Sequence, residues 1–180
     1  SALMEGLMAE HPETLEPVPG VAATMPDISP DGRVYTFTFR ENAKWSNGDS
    51  VKPSDFEFSW HRMLNPELGA RYAEFLYDIK NARRYNLGRM CEGGLWLLGN
   101  EQVEIAAHAE QWAKLSEPQK KAAWPMLKLP KDSKGKPACP FCKNELAVPT
   151  WNDWSIAQVG VTAHDANRTL VVELENPNPL

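Results

Sequence analysis

A chain of 180 residues with 42% hydrophobic and 24% charged side chains can bury a core without help from a metal or a disulfide. Its 19 basic and 24 acidic residues leave a net charge of −5, and the basic ones are scattered, which excludes the clustered cationic face of a nucleic-acid binder. No apolar run reaches the ~18–20 residues that a membrane-crossing helix requires.

In chain order, residues 1–8 read as one or two turns of helix. They have neither the basic start nor the cleavage site of a signal peptide, and Glu5 interrupts their apolar pattern. Leu15 to Met25 holds Pro17, Pro19 and Gly20, so the spacing predicts an extended but broken stretch. Ser29-Pro30-Asp31-Gly32 is a turn, and the segment after it alternates. Tyr35, Phe37 and Phe39 fall on one face, with Val34, Thr36, Thr38 and Arg40 on the other, a strand with one buried side. Pro53 opens a helix over 54–64, with Ser54 and Glu57 as a capping box and Phe56, Trp60, Met63 and Leu64 as a stripe packed on that strand. Asn65-Pro66 ends it.

The spacing of Tyr72, Phe75, Leu76 and Ile79 predicts a second helix over about 70–82. Residues 88–155 break the pattern. Glu101 to Lys114 reads as helix with Ile105, Ala109 and Trp112 on one face. Ser116-Glu117-Pro118-Gln119 starts another, with Gln119 placed for a capping box, running to about Trp124 before Pro125. Lys131 to Lys136 is a charged loop. At the end, Val159/Val161/Ala163 pair with Leu170/Val172/Leu174 across Asp165-Ala166-Asn167 as a hairpin. Antiparallel strands with helices on one face make an α+β fold.

The sharpest chemical motif is Cys139-Pro140-Phe141-Cys142. Two thiolates at this spacing grip one side of a tetrahedral Zn²⁺, and a full site needs two more ligands, for which Cys91, His108 and the other histidines remain. The alternatives are a disulfide, closed locally or with Cys91, idle thiols, or redox chemistry. Hydrolytic chemistry has little to stand on. His61, His108 and His164 are isolated in sequence, there is no nucleophile elbow or zinc-protease pair, and Gly93-Gly94 lacks the residues that cradle phosphate. The seven tryptophans read as core packing, with Trp151 and Trp154 the pair spaced for an exposed patch.

Tyr35-Thr36-Phe37, Arg40, Lys44-Trp45-Ser46, Gly48, Val51, Asp55-Phe56, Ser59-Trp60 and Arg62 form a pattern. It resembles the extracytoplasmic solute-binding proteins of the oligopeptide/dipeptide ABC-importer family. The likeness continues in residues 3–8, 15–22, 159–163 and 169–174, so that it covers roughly 1–88 and 156–180. The family has Thr where Lys52 stands, so this chain departs at the usual helix cap.

The resemblance implies that residues 1–180 are the smaller domain inserted in the first lobe of a two-lobed protein, with 88–155 a mostly helical insertion of this chain's own. Ser1 and Leu180 are then expected on the same side of the fold. It implies a non-catalytic, solute- or peptide-binding role in transport, in the periplasm or another extracytoplasmic part of the envelope. The implied partners are a peptide or other small solute, the membrane permease subunits and the rest of the same protein; nucleic acid and cofactors are not among them. Tyr72, in the segment Ala70-Arg71-Tyr72-Ala73, matches a position that reaches the peptide in relatives, although its helical spacing also suits a core residue. A second reading makes residues 88–155 a zinc-stabilised protein-interaction module on Cys139 and Cys142.

Overall fold

The computed structural model describes residues 5–91, 94–98, 103–105, 108–127, 139, 141–143, 146–147 and 158–177. The chain divides into two compact units. The first comprises Ser1–His61, Asp78–Lys80 and Gly160–Leu180, the second Arg62–Tyr77 and Asn81–Val159. The position of the termini, the loop 131–136, Trp151 and Trp154 lie outside the described residues.

The first unit is organised by the alternating segment. β4 (Val34–Thr38) lies between β3 (Asp27–Ile28) and β9 (Thr169–Glu173), and β8 (Val161–His164) completes an antiparallel sheet in the order β3-β4-β9-β8. The turn into β4 places Gly32 at a φ of 68°, where a Cβ would be strained. Register runs from Val34 opposite Glu173 to Thr38 opposite Thr169. Of the expected aromatic face, Phe39 meets α1 (Pro53–Leu64). Phe39, just past β4, is buried and its ring meets Phe56 edge-on at 5.2 Å, and Phe56 meets Trp60 edge-on at 6.4 Å. Burying a side chain of this size contributes roughly 1.5–3 kcal/mol. Tyr35 and Phe37 are half-buried.

The C-terminal hairpin forms in the expected register, Val161 opposite Val172 and Ala163 opposite Leu170, around a 3-10 turn at Asp165–Asn167. Val161, Leu170 and Val172 are buried. Leu174 leaves the hairpin and bridges to Ile79.

Other expectations are corrected. Residues 5–7 are not helical, and Met8–Glu10 is a strand, β1, paired with β2 (Pro17–Pro19). The two prolines are tolerated because β2 is an edge strand of a two-stranded ribbon. The helix expected over 70–82 is a 3-10 turn at Ala73–Leu76 and a separate α2 (Ala82–Leu87). Between them Asp78–Lys80 is drawn into the sheet: the Lys80 amide donates to the Glu173 carbonyl at 2.9 Å, and the Glu175 amide to the Asp78 carbonyl at 2.8 Å. A main chain bonded sideways cannot also continue a helical ladder.

The start of α1 is also built differently. Ser54 and Glu57 form no capping box. The Asp55 carboxylate accepts from the Lys52 amide at 2.8 Å and from the Trp45 indole N–H at 3.0 Å. Asp165, from the distant hairpin turn, accepts from the Ser54 amide at 2.9 Å and the Ser54 hydroxyl at 2.7 Å. That carboxylate takes up an orphan amide that a Thr at position 52 would help satisfy. The Ser54 hydroxyl and amide hold the Asp165 carboxyl below its usual range.

In the second unit α1 ends at Leu64, whose carbonyl accepts from the Asn86 side-chain amide at 2.7 Å. Tyr85 and Ala82 on α2 are fully buried. Beyond α2, β5 (Arg89–Cys91), β6 (Gly94–Leu98) and β7 (Val103–Ile105) form a three-stranded antiparallel sheet. Among the described residues of the helix expected over 101–114, Val103–Ile105 is strand and α3 (Ala109–Ala113) is helix. Val103 and Ile105 are β-branched, and pairing with β6 decides their conformation. α4 (Glu117–Leu127) starts as expected, with the Gln119 carbonyl oxygen accepting from the Ser116 amide and hydroxyl, both at 2.9 Å. It runs past Pro125 to Leu127 instead of ending at about Trp124, without the bond that a residue 125 amide would give to the carbonyl four residues earlier.

Candidate functional site

Two groups of residues stand out, both in the second unit. The first follows from how the chain leaves α1. The turn after Asn65 and the left-handed Gly69, at φ 60°, throw the chain outward before the 3-10 turn begins. Tyr72 therefore stands at the entrance of that turn and Phe75 within it, with side chains 63% and 74% exposed. Their rings stack at 5.6 Å and 5°. Leu68 is exposed as well. The core role suggested by helical spacing does not apply to Tyr72: of its supposed helical face only Ile79 is buried. Stacked in this way, the two rings cover one face of each other and leave the rest of their surface to solvent.

The second group is the thiol cluster. Cys139 and Cys142 come together with Cys91 at the end of β5 and His108 at the N-terminus of α3. The four ligand atoms all lie within 4.8 Å of one another. Cys91 Sγ is 3.5 Å from His108 Nε2. Cys139 is fully buried, Leu146 closes one side of it, and Trp112 and Phe141 pack around the rest. The three cysteines are thiols, not disulfide-bonded. Burial pushes the Cys139 thiol up to about 11, although the Cys142 and Phe141 amides donate to its sulfur.

Spacing alone marks Cys139 and Cys142 as a pair, and the fold supplies their companions. His108, isolated in sequence, is not isolated in space. Neither Cys91 nor His108 carries a local motif of its own; only the folded chain brings them to the pair. Among the described residues His61 and His164 join no comparable group.

Residues 16–180 match the family described as bacterial extracellular solute-binding proteins, family 5, middle. The dipeptide-binding protein DppE of Bacillus subtilis is 46% identical over 87 residues, 48% of this chain and 16% of that protein. The periplasmic murein peptide-binding protein MppA of Escherichia coli is 43% identical over 83 residues, 45% of this chain and 15% of that one. Among solved structures, the substrate-binding domain of an oligopeptide ABC transporter from Bacillus anthracis aligns with a TM-score of 0.56 at 28% identity, covering 98% of this chain and 21% of that one. Peptide-bound OppA of Listeria monocytogenes aligns at 0.53 and 25% identity, covering 97% and 21%. The chain thus spans about a sixth of these curated relatives and about a fifth of the solved structures. These relatives lend no support to the reading of residues 88–155 as a zinc-stabilised protein-interaction module. With the match running through nearly the whole sequence, the chain belongs to the family 5 bacterial extracellular solute-binding proteins.

Proposed function

We propose that this chain is a non-catalytic lobe segment of an extracytoplasmic peptide-binding protein that delivers its cargo to an ABC importer, with residues 88–155 an insertion within the segment. The relatives named above include a dipeptide-binding protein, a murein peptide-binding protein and the substrate-binding domain of an oligopeptide transporter, which supports the cargo class. Membrane permease subunits and the remaining lobe of the same protein are the partners this reading requires.

The observation that carries it onto this chain's own residues is the exposed, stacked pair Tyr72 and Phe75. Tyr72 is the ligand contact in this reading. An aromatic pair that spends apolar area on solvent in the unliganded state recovers that area when a peptide covers it. Because Tyr72 is exposed, Tyr72→Ala is expected to change stability by no more than about 0.5 kcal/mol. In the two-lobed protein the same change should weaken peptide binding by about five- to thirtyfold, read by isothermal titration. Equal affinity in the variant removes Tyr72 from the site. The 180-residue segment alone should bind peptide weakly or not at all, since one wall of a closing cleft leaves most of the ligand in water. Micromolar binding by the segment alone overturns the assignment of the main contacts to the other lobe.

A further inference from the structure

We propose that Cys91, His108, Cys139 and Cys142 bind one structural Zn²⁺ that holds the insertion together. This goes beyond peptide capture and does not depend on it; it rests on the cluster alone.

Three thiols and one imidazole converge from three separate stretches of chain: the end of β5, the start of α3 and the pair Cys139 and Cys142. In a tetrahedral site with Zn–S of about 2.3 Å and Zn–N of about 2.0–2.1 Å, the S···N edge is about 3.6 Å and the S···S edge about 3.8 Å. The Cys91 Sγ to His108 Nε2 distance of 3.5 Å already has that length, and the 4.8 Å limit on all six separations leaves a small inward adjustment of the others.

The turn carrying the pair is shaped for it. The Lys143 amide donates to the Cys139 carbonyl at 2.9 Å, closing the loop on itself. The Phe141 and Cys142 amides donate to the Cys139 sulfur, the outer support that steadies a coordinating thiolate. Lys143 sits at φ 66° and His108 at φ 51°, both in the left-handed region that side chains seldom adopt.

A disulfide explains less. It would join two sulfurs, leave the third beside them, and give the imidazole no part. Soft sulfur donors with one nitrogen select zinc over calcium or magnesium, which require oxygen. Four protein ligands within an apolar surround of Leu146, Trp112 and Phe141 leave no open position, so the ion is structural and activates no water.

Cobalt(II) is the probe, because its spectrum reports geometry and sulfur count. Reduced, metal-free protein is titrated with Co²⁺ without oxygen. One equivalent is expected, with intense visible bands of tetrahedral cobalt and a near-ultraviolet thiolate charge-transfer band, both abolished by one equivalent of Zn²⁺. Cys142→Ser and His108→Ala should weaken binding at least a hundredfold. His108→Cys keeps a complete ligand set, should still bind one ion, and should move the visible bands to longer wavelength. This variant remains decisive if the serine variant fails to fold. Absence of binding at micromolar Co²⁺, a weak octahedral spectrum, or a spectrum unmoved by His108→Cys each overturns the site. None of these results bears on peptide capture, which the Tyr72 variant tests separately.

Discussion

His61 is a buried imidazole on α1, and burial pulls its pKa down from 6.5 to about 4. The unfolded chain therefore takes up a proton near pH 6.5 that the folded chain refuses until about pH 4. Its contribution to stability is complete above pH 6.5 and is lost progressively as pH falls toward 4, by about 3 kcal/mol at the most. Glu57, one helical turn earlier, acts in the opposite direction. Burial raises its carboxyl pKa, so it favours the folded state at low pH and loses that advantage as pH rises above 4.5. The two overlap in range, and only a difference measurement separates them. Denaturant unfolding of the wild type and of His61→Leu at pH 7 and pH 5 should show the wild type losing more stability than the variant over that interval. Equal losses would mean that His61 titrates normally in the fold.

At the level of elements, α1 shows which features a sequence displays and which it hides. The period of two through Tyr35, Phe37 and Phe39 and the helical stripe through Phe56 and Trp60 are local, and both are readable directly. The cap is not local: Asp165 reaches Ser54 from 111 residues away. A local search for Ser54 partners finds Glu57, which is instead partly buried next to the backbone of Ala163. The false helix over 70–82 has the same origin. Apolar residues at three- and four-residue spacing satisfied the pattern, but the hydrogen bonds of Asp78–Lys80 to the far end of the chain decided the conformation. The metal-ligand cluster divides likewise, with Cys139 and Cys142 visible as a pair and Cys91 and His108 placed only by topology. The capping account predicts that Asp165→Ala costs about 1 kcal/mol in chemical denaturation, because the Ser54 amide loses its acceptor. Lys52→Thr should recover part of that loss in the double variant while adding less than about 0.5 kcal/mol to the wild type, whose amides are already partnered. Strictly additive effects would show that Asp165 does not stand in for the missing cap.

For the whole molecule, the decisive feature is that β4 is flanked by β3, its near neighbour in sequence, and by β9, which comes at the other end of the chain. Protein ending at Gln158 lacks both β8 and β9, and the β4 amides of its first unit should lose their protection from hydrogen exchange. Because the second unit is retained almost whole, the readout is hydrogen exchange at the Tyr35–Thr38 amides, and native protection there in the truncated form would show that β3, β4 and α1 suffice. The same arrangement sets a clock during translation. At about 5–20 residues per second, the ribosome needs on the order of ten seconds to deliver β9 after β4 has emerged. Throughout that delay a strand rich in tyrosine, phenylalanine and threonine presents one bare row of amides and carbonyls, open to a neighbouring nascent chain. Substitutions that weaken β9 are therefore expected to appear first as insoluble product in the producing cell, before any change in the melting temperature of the fraction that escapes.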